Sequence, residues 1–347
     1  MSFDLSQLGW DPEFASAFSD LAPPGAFPAR VLAEHRGQLE LQSADGVLRA
    51  SLPETQDELS APAVGDWVVA LSTPDHEVPA QALAVLPRRA RFVRKTNYHH
   101  STGQLVAANV DTVLIVTSAN LEFNARRTER YLAVVRAGGA EPVVVLTKAD
   151  LTPDPESILA RLPCRGVAVS ALYGRGLEQL QPWVGPGRTV VLVGSSGVGK
   201  STLVNALLGV QLQDTGEIRE HDAHGRHTTT TRRLLALPGG GALIDTPGMR
   251  ELGLYEADVE ATFLDITAKA AMCRFTNCRH QDEPDCAVRE ALDAGELSAA
   301  RLKSYDKLQR ELAREQRRQR KGAERRSARE RTKVIRSHQK WRREHGA

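Results

Sequence analysis

The sequence predicts a multidomain protein that joins a small all-β barrel, an α/β domain with a parallel sheet and a mostly helical C-terminal region. Short alternating segments separated by turn residues fill residues 29–95, apolar β-branched runs alternate with amphipathic stretches from Val110, and helical patterns follow Gly253. With 347 residues, 41% hydrophobic and 25% charged, the chain is long enough for two or three domains with ordinary cores.

The barrel is predicted over residues 29–95. Short apolar stretches are separated by turns such as Asp45-Gly46, and the last clear stretch runs from Gly65 to Leu71. About five strands in a segment of this length are typical of an OB-fold. The open face of such a barrel often binds single-stranded nucleic acid, but a barrel without a ligand has the same pattern, so both interpretations stay open.

The α/β domain is predicted over residues 96–252. Its apolar runs read as buried parallel strands, and the stretches between them read as flanking helices. The predicted strands are 113–116, 142–146, 167–169, 190–193 and 242–244, and the predicted helices are 127–137, 156–162, 177–183 and 201–208.

The segment Gly194-Ser-Ser-Gly-Val-Gly-Lys200-Ser201 has the spacing of a phosphate-binding loop and lies between an apolar strand and a predicted helix. Its glycines allow backbone N–H groups to surround a β-phosphate, and the helix N-terminus adds its positive end. We expect Lys200 to reach the β- and γ-phosphates and to act in catalysis, and Ser201 to bind Mg²⁺. The predicted phosphate-site residues are Gly194, Ser195, Ser196, Gly197, Val198, Gly199, Lys200, Ser201 and Thr202.

A base-reading segment, Thr147-Lys148-Ala149-Asp150, follows the second predicted strand of this domain. The carboxylate of Asp150 can accept from both N1–H and the N2 amino group of guanine, an arrangement that adenine does not offer. Lys148 can lay its aliphatic stem along the base or ribose. Thr147 stands where asparagine is usual, which predicts weaker polar contacts on the N7 side of the base.

Three further segments complete the expected nucleotide site. After the next strand, Ser170-Ala171 can aim a backbone N–H at the guanine O6. The segment Asp245-Thr-Pro-Gly248 offers an acid for Mg²⁺, usually through water, and a glycine amide for the γ-phosphate. The polar stretch 225–231 can supply the threonine that closes over Mg²⁺, with Thr229 preferred to its two neighbouring threonines.

The order of these motifs is permuted. The base-reading segments at 147–150 and 170–171 precede the phosphate loop at 194–201, whereas GTPases ordinarily begin with that loop. All elements of the usual fold are present, so the chain is predicted to carry an α/β P-loop GTPase core with circularly permuted topology. The second switch then leads directly into the C-terminal region.

A zinc-binding domain is predicted over residues 253–300. Cys273, Cys278, His280 and Cys286 offer three thiolates and one imidazole within fourteen residues, which suits a closed tetrahedral Zn²⁺ site. Four protein ligands leave no open position, so the metal is expected to be structural. The fourth cysteine, Cys164, is expected to be a plain thiol.

The C-terminal segment 301–347 is a predicted basic helical tail, long and largely exposed. It holds 18 Lys or Arg against 6 Asp or Glu, although the whole chain has a net charge of only +2. A polyanionic partner, nucleic acid above all, is preferred to a merely solubilising helix. No apolar run of membrane length and no leader pattern occurs in the sequence, so we expect a cytoplasmic monomer without a membrane partner.

With the permuted motifs, the OB-like segment, the Gly225-Arg-His-Thr-Thr-Thr stretch and the Cys/His spacing, the chain resembles the family of ribosome small-subunit-dependent GTPase A over residues 29–300. The resemblance implies a GTPase of late 30S subunit maturation that hydrolyses GTP to GDP and phosphate. It also implies that the OB-fold and zinc domains contact 16S rRNA and that the 30S subunit stimulates turnover. The first 28 residues lie outside the resemblance.

Slow intrinsic hydrolysis is expected because the residue after the second-switch glycine is Met249, which cannot orient an attacking water. His227 is the best internal candidate for that catalytic role, and an ordinary exposed loop histidine is the competing interpretation. Two other functions stay open. The chain could be an RNA-binding module that uses GTP as a structural ligand or switch with negligible turnover, or an ATPase or nucleotide kinase with the same phosphate loop.

Overall fold

The computed structural model of the protein describes residues 2–35, 37–52, 59–95, 103–120, 123–210, 232–245 and 254–345. Within these ranges the chain forms an eleven-stranded sheet, a separate two-stranded ribbon and nine α-helices.

The first part of the large sheet closes into a barrel. Its strands are β1 (Phe27–His35), β2 (Gln38–Ser43), β3 (Gly46–Ser51), β4 (Trp67–Ser72) and β5 (Ala80–Val85). The order β1-β2-β3-β5-β4 returns to β1 through an antiparallel β1–β4 pairing. Small apolar side chains such as Ala29, Val31 and Leu41 are completely buried and fill the interior. The predicted five-stranded barrel is confirmed.

The N-terminal segment, for which no structure was predicted, packs against this barrel. A short 3-10 helix (Leu5–Leu8) is followed by α1 (Pro12–Leu21). Asp11 caps α1, because its carboxylate accepts the backbone N–H groups of Glu13 and Phe14, and Pro12 occupies the first turn. Trp10 then lies 4.8 Å, centroid to centroid, from the buried ring of Trp67.

The rest of the large sheet is the α/β domain, entered through the ribbon. The ribbon strands are β6 (Arg91–Lys95) and β7 (Gly103–Ala108), and the sheet strands are β8 (Thr112–Ser118), β9 (Glu141–Thr147), β10 (Gly166–Ala168), β11 (Thr189–Val193), β12 (Arg233–Ala236) and β13 (Ala242–Asp245). The order is β10-β9-β8-β11-β13-β12, and only β12 among these described strands runs antiparallel to its neighbour. The five predicted strands are all present.

β12 was not predicted, and it joins the two parts of the sheet. Its Arg233 pairs with Ala33 of β1. The strand is only four residues long and opens with an arginine, so its local pattern is short. The barrel and the α/β sheet therefore share one continuous hydrogen-bonded surface.

The α/β domain contains four helices, and the central sheet is covered on both faces. They are α2 (Ala125–Ala137), α3 (Pro155–Leu159), α4 (Gln181–Val184), which a 3-10 helix (Leu177–Leu180) precedes, and α5 (Lys200–Leu208). Val113 of β8 shares one core cluster with Leu132 of α2, whereas the next residue, Leu114, shares another with Leu203 of α5. α3 ends earlier than predicted because Pro163 disfavours helical backbone in the residue before it.

The C-terminal region is helical, as predicted. It consists of α6 (Val259–Thr262), α7 (Leu264–Ala270), α8 (Ala287–Asp293) and the long α9 (Ala299–His345). The expectation that the final helix is largely exposed is wrong for its first turns, in which Ser304, Leu308 and Glu315 are at most 4% exposed. Those turns pack on α2 and α6. Among the helices of the described ranges, none has the length and apolar character needed to cross a membrane.

Candidate nucleotide-binding site and metal centre

The phosphate loop connects the end of β11 to the start of α5 with glycines that no other residue could replace. Gly194 has φ of 150°, and a Cβ placed on it would lie 2.2 Å from the carbonyl oxygen of Val116 in β8. Gly199, the residue before α5, is also left-handed, with φ of 88°. The close approach to β8 and the reversal into the helix therefore both require glycine.

Lys200 opens α5, and its ammonium group turns back into the loop. Its Nζ donates to the carbonyl oxygens of Gly194, at 2.7 Å, and Ser195, at 2.5 Å. Ser201 and Thr202 follow in the first helical turn and are half-buried. The loop thus gathers a positive charge, a helix N-terminus and two hydroxyl groups at the carboxyl edge of the sheet.

Thr147 ends β9 and is 2% exposed. Its Oγ1 lies 3.0 Å from the carbonyl oxygen of Thr117 in β8 and 2.5 Å from that of Val198 in the phosphate loop. The hydroxyl is thus turned into the protein rather than toward solvent. Thr147 thus ties the base-reading segment to the phosphate loop, and its contact with the base stays a prediction.

Lys148 and Asp150 follow Thr147 and make further contacts in the nucleotide site. Lys148 adopts left-handed backbone, with φ of 55°, and its Nζ donates to the carbonyl oxygen of Gly197 at 2.9 Å. Asp150 is exposed, and its Oδ1 accepts a 2.5 Å hydrogen bond from the hydroxyl of Ser170. The backbone N–H of Ala149 donates to Val169, so the two base-reading segments are bonded at both side chain and main chain.

The remaining nucleotide-site predictions divide into described and undescribed residues. Ala171 follows the buried Ser170 and is half-buried. Asp245 ends β13, which runs parallel to β11 with Ile244 opposite Val191. Asp245 therefore lies at the same end of the sheet as the start of the phosphate loop. Four other candidates from the two switch segments lie outside the described residues: His227, Thr229, Gly248 and Met249.

A contact that the sequence did not reveal joins the phosphate loop to α2. The guanidinium Nη1 of Arg127 donates to the hydroxyl of Ser195 at 2.5 Å. Asn124 caps this helix by accepting the backbone N–H of Arg127, which places the arginine in the first turn, nearest the loop. The pairing depends on β8 and β11 being neighbours, which no local pattern states.

The next residues of α2 hold α9. The carboxylate of Glu129, 6% exposed as a residue, accepts from Arg301 at 2.8 Å and from the hydroxyl of Ser304 at 2.5 Å. Arg130 pairs with Glu311 at 2.6 Å. Arg301 also binds Asp265, and this hydrogen bond raises the pKa of the guanidinium. One helix therefore contacts the phosphate loop at its start and the C-terminal helix one turn later.

The four predicted metal ligands converge between α7 and α8. Cys273, Cys278, His280 and Cys286 bring their ligand atoms within 4.8 Å of one another. The Sγ atoms of Cys273 and Cys278 lie 3.9 Å and 3.6 Å from that of Cys286, whose distance to Nδ1 of His280 is 3.5 Å. A tetrahedron of thiolates about 2.3 Å from Zn²⁺ has edges of about 3.8 Å. The ligand atoms are therefore close to the spacing that a metal ion of that size requires.

The loop between these ligands is fixed by its own backbone. His280 and Asp285 both adopt left-handed conformations, with φ of 60° and 54°. The carboxylate of Glu283 accepts the backbone N–H groups of Arg279 and Gln281, each at 2.9 Å, and these bonds lower the pKa of Glu283 to about 2. These two hydrogen bonds to a carboxylate hold the turn that contains His280.

The sequence of the chain is similar to those of known GTPases. The family model for the RsgA GTPase matches residues 85–255. Two curated relatives are both called small ribosomal subunit biogenesis GTPase RsgA. That of Opitutus terrae is 49% identical, over 89% of this chain and 90% of its own length, and that of Streptomyces coelicolor is 47% identical, over 88% and 86%.

Two solved structures share the architecture. YjeQ from Thermotoga maritima superimposes with a TM-score of 0.61 at 27% identity, and the match covers 83% of this chain and 99% of that one. YloQ, described as a circularly permuted GTPase, gives a TM-score of 0.60 at 24% identity over 83% and 95%. The permuted topology predicted from motif order is confirmed.

Proposed function

The chain belongs to the RsgA GTPase family and is a GTP hydrolase, and from this premise we propose that it acts in late maturation of the 30S ribosomal subunit. The support is that its curated relatives carry the name of small ribosomal subunit biogenesis GTPases over nearly their whole length. Under this proposal the segments 29–95, 96–252, 253–300 and 301–347 serve as RNA-binding barrel, GTPase domain, zinc-binding domain and basic tail. It would work as a monomer in the cytoplasm.

The observation that carries the nucleotide assignment is the hydrogen bond between Asp150 and Ser170 beside the phosphate loop. Neighbouring parallel strands β10, β9, β8 and β11 end at one edge of the sheet, so base-reading and phosphate-binding segments meet there. Because Ser170 holds Oδ1 of Asp150, the carboxylate is oriented before the nucleotide arrives. Both its oxygens can accept from guanine, which explains a preference for GTP over ATP.

The hydrolytic step needs charge stabilisation and a positioned water. Lys200 and the backbone N–H groups after Gly194 face the phosphate site, where negative charge moves from the γ-phosphate to the leaving oxygen. We assign Ser201, Asp245 and Thr229 to Mg²⁺, which when bound neutralises the phosphate oxygens. His227 is proposed to orient the water. With Met249 following the second switch, turnover by the isolated protein is slow.

Binding to the 30S subunit would raise this slow turnover rate, because a partner that orders the switches and supplies charge contributes about 10³ to 10⁵ in rate in comparable systems. α2 offers a route for the signal, since it contacts Ser195 through Arg127 and α9 through Glu129. A change in the seating of α9 on the subunit would thus act on the helix that touches the phosphate loop. The second switch, at the C-terminal end of the GTPase domain, offers another.

The metal and RNA roles follow from chemistry. The Cys3His set suits a structural Zn²⁺ that fixes a segment with little core of its own, because all four positions are filled by protein. The excess of basic residues beyond position 300 suits 16S rRNA, and the barrel supplies a second RNA surface.

Multiple-turnover phosphate release with and without purified 30S subunits tests the proposal. We expect turnover to rise at least tenfold with the subunits and to fall to background in Lys200→Ala. Lys303→Ala, an exposed lysine change in α9 near its packed turns, serves as a charge-matched control with retained basal turnover. Turnover that 30S subunits leave unchanged would refute the assembly role and leave an RNA-binding module that holds GTP as a ligand.

A further inference from the structure

A cavity of about 360 Å³ lies at the opposite edge of the sheet from the nucleotide site. It is bounded by three parts of the chain: the N-terminal segment, the barrel, and the loops that enter β8 and β11. Its principal lining residues are Trp10, Phe14, Arg30, Trp67, Asp111 and Arg188. No residue of the phosphate loop or of the metal cluster lines it, so it is a separate feature of the fold.

Arg30 is a buried cation at the floor of this cavity, 1% exposed. Its Nε and Nη2 donate to the carbonyl oxygens of Gly65 and Asn109, each at 3.2 Å. Its Nη1 lies 3.3 Å from the place that a Cβ would take on Gly9, another lining residue, and makes no hydrogen bond to the described part of the chain. Burial lowers the pKa of Arg30 to about 10, although Asp111 and Asp66 act in the opposite direction.

Trp67 also has a buried hydrogen-bond donor without a partner in the described part of the chain. Its ring is completely buried, and its Nε1 has no hydrogen-bond partner among the described residues. The guanidinium of Arg30 lies 5.3 Å from the centre of this ring. Buried donors without a partner are rare in folded proteins. This Nε1 has almost no accessible surface, so it is not a contact for an occupant of the cavity.

The other charged side chains of the wall differ in how tightly they are paired. Arg89 is bound in bidentate fashion by Asp11 and also pairs with Glu13 at 2.7 Å. Arg188, with its side chain 58% exposed, is held only loosely by Asp111, since the closest atoms are 3.9 Å apart. Arg188 is therefore the arginine of the lining that is most open to an added anion, beside the aromatic faces of Trp10 and Phe14.

We propose that this cavity binds a small anion that carries a flat ring, with the acidic group held by Arg30 and Arg188 and the ring lying against Trp10. Aromatic carboxylates and nucleoside monophosphates share this chemistry. The volume admits a molecule of about that size, whereas a bare inorganic anion would leave the aromatic wall uncovered. Since the three walls come from distant parts of the sequence, an occupant would brace the barrel against the α/β domain.

The test uses the full-length protein saturated with GDP and Mg²⁺, so that the nucleotide site is closed to the probes. Uridine 5′-monophosphate, indole-3-acetate and inorganic phosphate are titrated in turn by calorimetry, with uridine and indole as uncharged counterparts. We expect saturable binding of at least one ring-bearing anion, and binding at least tenfold weaker for phosphate and for the uncharged compounds. Which of the two anions binds more tightly identifies the acidic group.

Variants then locate the binding. Arg188→Ala and Trp10→Leu should each weaken the ring-bearing anion about tenfold, because the first removes a charged hydrogen-bond donor and the second removes the aromatic face. Arg161→Ala, an exposed arginine on a distant loop, and Trp183→Phe are matched controls that should bind normally. Both lining variants are checked for an unchanged melting temperature. No saturable binding of any probe, or binding that both lining variants leave intact, overturns the proposal.

Discussion

The hydroxyl of Thr147 lies 2.5 Å from the main-chain carbonyl oxygen of Val198, so the residue that opens the base-reading segment also holds the phosphate loop. A threonine can make this bond because Gly199 brings the loop close: a Cβ on Gly199 would lie 3.6 Å from the same hydroxyl oxygen. The two halves of the nucleotide site are therefore fixed relative to each other before nucleotide binds.

Thr147→Val keeps the shape of the side chain but removes the hydroxyl. We expect GDP affinity to fall about fivefold to tenfold and stability to fall by about 1–2 kcal/mol, because a buried carbonyl loses its partner. Thr147→Asn, whose amide can donate to the same carbonyl, should retain affinity. Fluorescent GDP binding and urea unfolding measure both effects, and normal affinity in the valine variant would contradict the tie.

Asp150→Asn should reverse the base preference. The amide no longer accepts from both guanine donors, so GTP affinity should fall about 100-fold, and xanthosine triphosphate should gain, since its O2 accepts where guanine donates. Glu156→Gln, a carboxylate change on nearby α3, is the control. Competition binding with the two nucleotides gives the result; equal loss for both would show that Asp150 does not read the base.

Arg301→Ala breaks the ion pair with buried Glu129. We expect a loss of about 3 kcal/mol in unfolding free energy, because a buried carboxylate is left without its charged partner and keeps the hydrogen bond from the hydroxyl of Ser304. Basal GTP turnover should persist, whereas stimulation by 30S subunits should fall at least fivefold. Arg314→Ala, an exposed residue of the same helix, should change neither quantity. Full stimulation in the Arg301 variant would exclude α2 as the route from α9.

Removal of the metal should unfold the ligand loop while the GTPase domain remains folded. Cys286→Ser is expected to abolish binding of one Zn²⁺ per chain and to lower the melting temperature by about 5 °C. Cys164→Ser should bind zinc like the parent protein, because Cys164 is not among the four residues whose ligand atoms converge. Metal content and melting temperature are measured together; a full zinc complement in Cys286→Ser would overturn the ligand set.

Truncation after Arg320 should flatten the salt dependence of RNA binding. The removed residues hold ten Lys or Arg against three Asp or Glu. Loss of several phosphate contacts reduces the slope of log affinity against log salt by about 0.7 to 0.9 per contact. This cut leaves Leu308 and Glu315 in place, so the packing of α9 is retained. An unchanged slope would return the tail to the role of a solubilising helix.

The sequence predicted those features whose signals are local. The phosphate loop, the base-reading segment and the Cys/His spacing each lie within a few residues, and strong apolar runs mark the parallel strands. Asp11-Pro12 is also a local helix start, although it was not used to predict α1. By contrast, the contacts of Arg127 with Ser195 and of Glu129 with Arg301 join segments that are distant in sequence.

The same distinction applies to Thr147 and to α9. The hydroxyl contacts of Thr147 depend on how closely β8 and the phosphate loop approach it, which no local pattern predicts. The first turns of α9 look polar in composition, yet Leu308 and Ser304 fall on the side that meets α2 and α6. A charged helix can hide a narrow buried stripe that average composition does not show.

The pairing of Arg233 with Ala33 also limits how this architecture can be varied. Since β12 is bonded to β1 on one side and to β13 on the other, the barrel is not an interchangeable module on a flexible tether. A foreign barrel grafted onto this GTPase would need an unpaired strand edge that could pair with β12 in the same register. A protease cut in the chain between the barrel and the α/β domain would not separate them. Chimaeras are therefore best designed with junctions in α9 beyond its packed turns.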